Sequence, residues 1–447
     1  MSSEIEESEI LIIGAGWAGL SAAIPLVEQG KKVCIIDSAK APGGRARSVS
    51  YRDYHVDNGT HIMVGAYTQT LALIKKVHKR SVWNETLLLE RQSLNLSYKQ
   101  RNNTDITLPA VPLPAPLNIV FSFLFASGLS FKDKLQILSI GLKIKLNIIS
   151  LPSDINLETF LKQQNQSSHI IKSIWEPLCI AILNTPISQA STEIFLRVLK
   201  DSFFKSGKAS NLLFFKTDLS VVFPSAAQKY IEQHKGLIHF NRRATSITKE
   251  DNHYIINTKL TKYKAKHVII ATAPIATKKL LSDLTDNNKH NALINNLNAF
   301  TYQPICTVYL QYPKEVSCGR TMQGFLGTTV QWVFNKNSEE HPNLISVVIS
   351  SEGSHMEWNN NKLIQTVTDE LAEFYQEWSQ PDDAFVIREK RATFTASVNI
   401  NRIRPPNKTD IHNIWLAGDY TNTHYPATLE GAVRSGHQCA QHILAEF

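Results

Sequence analysis

Residues 9–19 read Glu-Ile-Leu-Ile-Ile-Gly-Ala-Gly-Trp-Ala-Gly, and this stretch decides the fold. It begins as a short apolar run, which is typical of a strand that is buried on both faces. Glycines follow at the G-x-G-x-x-G spacing, and a helical pattern continues to Gln29. In such a turn Gly14 permits the tight bend, Gly16 lets the backbone approach a pyrophosphate, and Gly19 lets the helix pack on the strand. The positions predicted to hold the phosphates are Gly14, Ala15, Gly16, Trp17, Ala18 and Gly19.

A second apolar strand, residues 32–36, ends at an acidic side chain. Asp37 follows Gly14 by 23 positions, which is where a carboxylate is expected to bind the ribose of a dinucleotide. The glycine motif alone is weak evidence, but strand, glycine turn, helix, second strand and acid occur here in order. The sequence therefore predicts a dinucleotide site that includes Asp37 and the next residue, Ser38.

Two adjacent glycines and two arginines lie a few residues further on, in the stretch Pro-Gly-Gly-Arg-Ala-Arg-Ser at 42–48. Taken alone, this stretch is compatible with an ordinary turn that carries exposed arginines. Its position after the acid resembles the Gly-Gly-Arg element of the superfamily that contains FAD-dependent amine oxidases and carotenoid desaturases. The resemblance implies FAD as the cofactor and a second loop around its pyrophosphate. The residues implied in this loop are Gly43, Gly44, Arg45, Ala46 and Arg47.

Two further stretches resemble parts of the flavin site in the same superfamily. Residues 57–61, Asp-Asn-Gly-Thr-His, match a strand that passes beside the isoalloxazine ring. Residues 414–419 end in Gly-Asp, whose carboxylate is implied to bind a ribityl hydroxyl, and the stretch 426–436 is predicted to begin a helix. The N-terminal dipole of that helix would stabilise negative charge on the reduced flavin. The residues implied to contact FAD here are Gly59, Thr60, His61, Gly418, Asp419, Thr428, Leu429 and Ala432.

The middle of the chain supplies two more predicted strands of the cofactor domain. Residues 237–247 contain Ala244, which is expected near adenine, and residues 266–274 contain Ala271. The predicted fold class is α/β, with a discontinuous Rossmann-like FAD-binding domain, an α+β substrate domain and an apolar helical segment. At 447 residues the chain is too long for a single core. The predicted intervals are 1–75, 210–285 and 405–447 for the FAD-binding parts, 76–209 for a substrate- and membrane-facing helical part, and 286–404 for a substrate-domain sheet.

Several stretches outside the cofactor motifs narrow the resemblance. Trp-Glu-Pro-Leu-Cys at 175–179 and Asn-Thr-Pro at 184–186 are similar to sequences of the hydroxysqualene dehydroxylases, bacterial FAD-dependent enzymes of squalene and hopanoid biosynthesis. This resemblance extends over nearly the whole chain. It implies that an allylic alcohol in a long triterpene, hydroxysqualene, loses its hydroxyl as water while hydride from reduced FAD replaces it, giving squalene. Asp37 stands where Glu is usual, Thr60 stands where Gln is expected, and residues 420–424 differ from those that usually follow Gly-Asp. These differences bear on substrate detail rather than on cofactor binding.

The departing hydroxyl needs a proton donor near the flavin. Chain position favours His61, because its segment is expected to border the flavin, whereas chemistry favours Glu176, because burial raises the pKa of a carboxyl group. Tyr67 would donate only weakly, since its ordinary pKa is about 10. The predicted catalytic residues are therefore His61, Glu176 and Tyr67. The alternative is a His61 that only bonds to the backbone, with water as the proton donor.

Residues 111–151 are more apolar than the rest of the chain. An apolar run at 117–125 breaks at Gly128 and Lys132, so it is too short to span a membrane. Beyond it, lysines at 132, 134, 143 and 145 alternate with leucines and isoleucines, a pattern of helices that lie on anionic bilayers. Buried domain helices are the alternative, but a water-insoluble triterpene favours an enzyme that loads its substrate from lipid. We predict a cytoplasmic protein in peripheral contact with the inner face of the cytoplasmic membrane.

Composition sets the remaining expectations. A net charge of +8 and a pI near 9.0 favour acidic partners, but the sequence has no block of Lys and Arg with interleaved aromatic residues and so predicts no nucleic-acid binding. The five cysteines are scattered without C-x-x-C spacing, which predicts no metal site and reduced thiols. Rival interpretations are an oxidative phytoene or diapophytoene desaturase, an amine oxidase, and a flavin-binding protein without turnover. The sequence does not identify the electron donor that reduces the FAD.

Overall fold

The computed structural model describes residues 5–78, 84–101, 103–282, 284, 291–336 and 341–447. The strands are β1 (Ile5–Ile13), β2 (Val33–Ile36), β3 (Ser48–Tyr51), β4 (Tyr54–Asp57), β5 (Met63–Val64), β6 (Leu89–Gln92), β7 (Leu96–Gln100), β8 (Ile106–Leu108), β9 (Leu212–Phe215), β10 (Leu237–His239), β11 (Ser246–Glu250), β12 (His253–Asn257), β13 (Lys262–Ile270), β14 (Tyr302–Gln311), β15 (Met322–Leu326), β16 (Trp332–Asn335), β17 (Leu344–Ser350), β18 (Asp383–Phe394) and β19 (Ile414–Leu416). The α-helices are α1 (Trp17–Glu28), α2 (Thr68–Val77), α3 (Glu85–Leu88), α4 (Leu117–Leu124), α5 (Phe131–Lys145), α6 (Leu157–Gln163), α7 (Ser168–Ile170), α8 (Glu176–Leu183), α9 (Thr192–Phe203), α10 (Leu219–Val222), α11 (Pro224–Gln233), α12 (Pro274–Leu281), α13 (Asn291–Asn298), α14 (Asn360–Phe374) and α15 (Leu429–Leu444). A π-helical turn, Ile171–Trp175, joins α7 to α8, and two 3₁₀ turns are Ser354–Met356 and Ile400–Arg402.

The sheet that carries the glycine turn draws its strands from three separated parts of the chain. Their order is β10-β2-β1-β13-β12-β11, and β19 also pairs with β13. β10, β2, β1, β13 and β19 run parallel, whereas β11 and β12 form an antiparallel edge. β1 and β2 are parallel neighbours connected through α1, which is the unit that the glycine motif predicts. The carboxyl ends of the parallel strands share one edge, where open α/β sheets bind their ligands.

A second sheet has the strand order β18-β14-β17-β16-β15-β7-β8. Its pairs are antiparallel except for β7, which runs parallel to β15. The interval 76–209 was predicted to be helical, and this prediction was wrong for β6, β7 and β8. The pairing of Tyr98 with Gly324 joins positions that are far apart in the chain, so no local pattern indicates it.

The strand predicted over 237–247 is divided. β10 ends at His239 and β11 begins at Ser246, so Ala244 lies in the connection between them. Asn241 has a left-handed backbone with φ 55°, and Arg242 N–H donates to Asp37 O at 2.7 Å. The chain leaves the sheet because this left-handed residue and this bond turn it around the end of β2.

Four clusters of buried apolar side chains form the cores of the described residues, and the smallest consists of Val56, Tyr309, Leu344 and Phe385. The largest extends from one face of the first sheet, through α6 to α9, to β16 and β17 of the second sheet. Another lies between the opposite face of the first sheet and α1, α11 and α15. The third joins α14 to the second sheet. All five cysteines are buried free thiols within these clusters.

The helix α5 in the apolar segment is apolar on two faces. Ile137, Ile140 and Ile144 are buried and pack into the largest core. The opposite face exposes a second apolar stripe, whose members recur at helical spacing: Phe131, Leu135, Leu142 and, just beyond the helix, Leu146. No helix among the described residues is long and apolar enough to cross a bilayer.

The four lysines of this segment have different environments. Lys134 Nζ donates to Leu124 O at 2.9 Å, and Lys143 Nζ donates to Gln164 Oε1 at 2.9 Å. Lys132 and Lys145 are exposed at the two ends of α5. The alternating basic pattern therefore presents two of its four charges to solvent.

Candidate active site

The glycine turn and the start of α1 form an open backbone surface. Gly14 has φ 115°, which favours glycine, and a Cβ there would lie 2.7 Å from Ala271 O. A Cβ at Gly19 would lie 2.0 Å from Gly14 O, so Gly19 is required for close packing of the helix on the strand. Gly16 differs, because the nearest described atom to its Cβ would be Gly44 Cα at 4.0 Å. The chain leaves room in front of Gly16 that a side chain would fill.

The first turn of α1 is suited to an anion. Its first intrahelical bond joins Leu20 N–H to Gly16 O at 3.0 Å, so the N–H groups of residues 17–19 lie outside the helical ladder. The residues of this turn are uncharged, which leaves the positive end of the helix dipole uncompensated. Free N–H groups and an uncompensated dipole are the features that bind phosphate at helix N-termini.

The Gly-Gly loop closes against the glycine turn. Gly43 N–H donates to Ala15 O at 2.8 Å, and the indole N–H of Trp17 donates to Ala46 O at 2.9 Å. Gly43 and Gly44 both have positive φ, 111° and 62°. The structure therefore brings the two predicted phosphate loops together. Trp17 and Ala46 are buried, so the hydrogen bond between them is shielded from water.

Asp37 is fixed at the carboxyl end of β2. Its Oδ2 accepts from Ala15 N–H at 2.6 Å and its Oδ1 accepts from Ala39 N–H at 2.7 Å. Each carboxylate oxygen has a further lone pair, so the fixed group is still able to accept a ribose hydroxyl. Ser38 is exposed beside it. Asp37 therefore orders the glycine turn as well as occupying the predicted ribose position.

Arg45 and Asp419, which the sequence assigned to different parts of the cofactor, contact each other. Arg45 Nη2 lies 2.8 Å from Asp419 Oδ2, and Arg45 Nη1 donates to Ala392 O at 2.8 Å. The Asp419 side chain is 11% exposed and the Arg45 side chain 40%. This pair joins the Gly-Gly loop to the Gly-Asp turn, and Asp419 Oδ1 is not used by it.

A buried arginine that sequence reasoning missed organises the Gly-Asp turn. Arg404 donates from Nη2 to Asp419 O at 2.9 Å and from Nη1 to Tyr425 O at 2.7 Å, and it also bonds to Thr421 O. Burial lowers its pKa to about 10, while the neighbouring Asp419 raises it. The bonded residues lie 15 to 21 positions further along, so no motif spacing marks Arg404.

The helix after the Gly-Asp turn begins at Leu429 and is capped by Thr428, whose Oγ1 accepts a first-turn N–H at 3.1 Å. Glu430, which was not predicted, is fully buried in this turn. Its carboxylate accepts from Thr70 N–H at 2.9 Å and from Arg434 Nε at 2.8 Å. One carboxylate therefore joins the N-termini of α2 and α15.

Tyr67 lies directly before α2 and reaches the start of α15. Its hydroxyl is hydrogen-bonded to Thr428, and burial raises its pKa above the ordinary value, with Glu430 adding to the rise. Leu429 and Ala432 are half-buried in the same turn. The phenol stays protonated over the usual pH range, so it is a hydrogen-bond donor and a weak acid.

His61 lies in a buried environment beside Asp57. Its Nε2 is buried and has no hydrogen-bond partner among the described residues. Burial lowers the pKa of His61, whereas the Asp57 carboxylate and a hydrogen bond to the backbone at Asn58 raise it. The imidazole is therefore neutral near pH 7 with one nitrogen left for a ligand.

Hydrogen bonds join the segment around His61 to the Gly-Gly loop and to the second sheet. Asn58 N–H donates to Arg47 O at 2.8 Å, and Thr60 Oγ1 lies 2.8 Å from Ser346 Oγ on β17. Gly59 between them has φ 87°, which favours glycine. The predicted flavin-side residues are thus held between the Gly-Gly loop and the second sheet.

Lys336 is a third group that the sequence did not reveal. Its Nζ lies 3.9 Å from Asp57 Oδ2, and it lowers the pKa of the nearby His61. Burial lowers the pKa of Lys336 itself, and Asp57 opposes this. Asp57 also accepts from Leu219 N–H at 3.0 Å, so its carboxylate is held firmly in the site.

Glu176 has a different environment. It begins α8 and is half-buried; burial raises its pKa, Glu158 adds to the rise and Lys172 opposes it. None of these charged groups is among those that act on His61. The structure therefore brings His61 and Tyr67 to the predicted cofactor residues and places Glu176 in a separate electrostatic environment.

One of the two stretches that narrowed the resemblance, residues 184–186, makes structural contacts. Asn184 ends α8 with φ 47°; its Nδ2 donates to Pro304 O at 3.2 Å and its Oδ1 accepts from Ser351 N–H at 2.7 Å. Thr185 Oγ1 accepts from Ala396 N–H at 3.0 Å. These bonds fix the helical part of the chain against the second sheet.

The site residues fit FAD. Open space in front of Gly16, free N–H groups on α1, an anchored Asp37 and the capped start of α15 lie at the strand ends of one sheet. Comparison with known protein families agrees, because the sequence profile described as flavin containing amine oxidoreductase matches residues 17–444. The chain belongs to this family. It is an FAD-dependent oxidoreductase.

Known proteins resemble the chain over nearly its full length. A hydroxysqualene dehydroxylase from Zymomonas mobilis is 26% identical over 446 residues, covering 97% of this chain and 98% of that protein. A zeta-carotene desaturase from Arabidopsis thaliana is 23% identical over 488 residues, covering 97% and 85%. The crystal structure of an oxidoreductase from Methanosarcina mazei has a TM-score of 0.77 at 16% identity, covering 98% of this chain and 100% of that one. The resemblance to hydroxysqualene dehydroxylases is confirmed, as is the mixed α/β fold.

Proposed function

We propose that this oxidoreductase converts hydroxysqualene to squalene by reductive dehydroxylation. The observation that carries the proposal is the similarity to a hydroxysqualene dehydroxylase, which covers 97% of this chain and 98% of the relative. The zeta-carotene desaturase matches as much of this chain, but only 85% of its own length is covered. The stretches 175–179 and 184–186 support the same choice, since they carried the resemblance to this family.

The proposed reaction balances with one substrate and one reduced flavin. The C–O bond of the allylic alcohol breaks, the oxygen takes a proton and leaves as water, and a new C–H bond forms at that carbon. Reduced FAD, when bound, supplies the hydride for this bond. An electron donor outside the chain must reduce the FAD again before the next turnover. The chain's own residues hold the cofactor, exclude water and deliver the proton.

His61 is the proton donor that the geometry favours. Its Nε2 is buried without a partner among the described residues, so it is available to a substrate hydroxyl. Burial and Lys336 hold the pKa of the imidazole below its usual value, so the proton is donated by the minority imidazolium form, which is a stronger acid than an exposed imidazolium. The carboxylate of Asp57 stabilises the protonated form while it exists.

The reaction is tested with the purified holoenzyme, reduced under anaerobic conditions. Hydroxysqualene should reoxidise the flavin, and squalene should appear in an amount equal to the flavin oxidised. If hydroxysqualene leaves the flavin reduced while phytoene or diapophytoene reduces the oxidised enzyme, the protein is a desaturase. Peroxide formation with amines would instead establish an amine oxidase.

The proton donor is tested in single turnovers with His61→Phe. The variant should keep its FAD and react about 10²–10⁴-fold more slowly, which is the usual contribution of a positioned acid. His355→Phe is the matched control, because His355 also has a buried Nε2 without a described partner. If His61→Phe reacts at the parent rate and Glu176→Gln is slow, Glu176 is the donor.

Peripheral contact with the inner face of the cytoplasmic membrane is proposed for the outward face of α4 and α5. Phe125 and Phe131 are 65% and 70% exposed, and Leu135 and Leu142 extend the same surface. Large exposed apolar surfaces are uncommon on soluble proteins unless they bind a partner or a membrane. A hydrophobic triterpene dissolves in the bilayer, so this surface would bring the active site to its substrate.

The membrane contact is tested by sedimentation with lipid vesicles. The double variant Phe125→Ser/Phe131→Ser should bind about tenfold more weakly for each phenylalanine lost, because each removes a large apolar group from the contact. Leu87→Ser/Leu260→Ser is the control, since these leucines are 67% and 65% exposed outside the segment. Equal vesicle binding by both double variants and the parent would show that the segment does not contact the membrane.

A further inference from the structure

A cavity of about 600 Å³ lies outside the flavin site, between the end of α5 and α9. Ile144, Lys145 and Leu151 form one side, α9 forms the other, and His424 lies at one end. The residues assigned above to the cofactor are not among those that line it. It is therefore distinct from the cofactor site.

Basic side chains outnumber acidic ones in this cavity. Lys145, Arg197, Lys200 and Lys205 line it, together with the carboxylates of Glu193 and Asp201. Asp201 is nearly inaccessible, and it pairs with Arg197 Nε at 3.2 Å and Lys205 Nζ at 2.7 Å. Its carboxylate thus fixes two cations at the wall and also accepts the Tyr425 hydroxyl.

The other two lysines of the lining are not paired with a carboxylate among the described residues. Lys200 Nζ donates to Asn147 Oδ1 at 2.8 Å, and this amide is neutral. Lys145 is exposed at the end of α5, and neither lysine forms an ion pair within the described ranges. The cavity therefore has a net positive charge, which favours an anion.

The cavity also has apolar walls and lies beside the exposed apolar residues at the end of α5. Its walls include the apolar side chains of Ile149, Ile194 and Phe204. Leu142, Leu146 and Ile148 are exposed on the same end of α5 and the loop after it. An occupant therefore meets cations and apolar side chains together.

We propose that this cavity binds the phosphate headgroup of an anionic membrane lipid, whose acyl chains continue along the exposed apolar residues. The proposal rests on the membrane contact proposed above. A free phosphate ion would use the cations and leave the apolar walls in contact with water. A lipid satisfies both parts of the cavity, because its charged headgroup and its chains are covalently joined.

The test uses the holoenzyme and two kinds of vesicle, phosphatidylcholine alone and phosphatidylcholine mixed with phosphatidylglycerol. The parent should prefer the anionic vesicles. Lys145→Gln/Lys200→Gln should reduce that preference about fivefold for each charge removed, roughly 25-fold in all, at low salt. FAD content and turnover of detergent-solubilised substrate should not change.

The control Lys249→Gln/Lys262→Gln removes the same charge from exposed positions on β11 and β13. It should retain the anionic preference within about twofold, because neither of these lysines lines the cavity. Equal losses in the two double variants, or no loss in either, would overturn the cavity assignment.

Two further results separate the proposals. A parent that binds both vesicle types equally well overturns the headgroup site and leaves the membrane contact intact, whereas a parent that binds neither overturns both. Calorimetric titration with inorganic phosphate or glycerol phosphate completes the test. If these soluble anions bind as tightly as the lipid, and Lys145→Gln/Lys200→Gln loses that binding, the ligand of the cavity is a soluble anion and not a lipid.

Discussion

Replacing Gly16 by valine should abolish the retention of FAD through purification while leaving the fold intact. Gly16 precedes α1 with φ −75° and ψ 178°, an extended conformation that a branched residue adopts readily. Its Cβ would have Gly44 Cα as its nearest described neighbour, at 4.0 Å. The valine methyl groups would therefore occupy the space in front of the free N–H groups of α1. That space is where the pyrophosphate is expected to lie.

The size of the effect follows from the bonds that the side chain would prevent. A hydrogen bond to a charged group contributes about 1.5–3 kcal/mol, so losing two backbone N–H contacts with phosphate costs about 3–6 kcal/mol. This weakens FAD binding by roughly 10²–10⁴-fold. The cost to the fold is smaller, about 1 kcal/mol, since valine is a poorer N-cap than glycine.

The assay compares flavin absorbance with protein absorbance after purification, followed by titration of the apoprotein with FAD. Gly141→Val is a matched control, because a Cβ at Gly141 has no described heavy atom within 4 Å and lies away from the glycine turn. Gly19→Val should instead fail to fold, since its Cβ would lie 2.0 Å from Gly14 O. Full flavin content in Gly16→Val, or its failure to fold, would refute this account of the phosphate site.

Three further changes test the rest of the site. Asp419→Ala should weaken FAD binding by about 1–3 kcal/mol, less than Gly16→Val, because one hydrogen bond to a ribityl hydroxyl is lost. The fold should change little, since Arg45, the partner of Asp419 in the ion pair, is 40% exposed. Unchanged FAD affinity would contradict the predicted contact of Asp419 with the ribityl chain. Lys336→Met removes a charge that lowers the pKa of His61, so the pKa of His61 should rise. Because an acid must be protonated to act, the pH at which the single-turnover reaction with hydroxysqualene slows should move upward. A downward shift would exclude His61 as the donor. Glu430→Ala leaves Arg434 and the start of α2 without their buried carboxylate. It should lower the free energy of unfolding by about 3–5 kcal/mol, whereas Glu373→Ala, at an exposed position, should change it little. Denaturant titration of both variants measures these free energies.

Short-range spacing made much of the cofactor site predictable. The glycine turn, Asp37 and the start of α15 each depend on neighbours within a few residues or one strand–helix unit, so their spacing in the sequence fixes their geometry. The two wrong predictions concern segments whose structure does not follow from such short-range spacing. Residues 96–108 join the second sheet through a partner far along the chain, and the strand predicted over 237–247 breaks where Asn241 adopts a left-handed backbone.

The sequence by itself determined the cofactor class and the order of the elements that bind it. Only the tertiary structure decided that Arg45 pairs with Asp419, that Arg404 holds the Gly-Asp turn, and that Lys336 lies beside Asp57. It also decided which face of α5 is exposed, because both faces are apolar and periodicity alone does not distinguish core from surface. These features depend on side chains that meet only when distant segments pack, and a single sequence carries no local signal of such contacts.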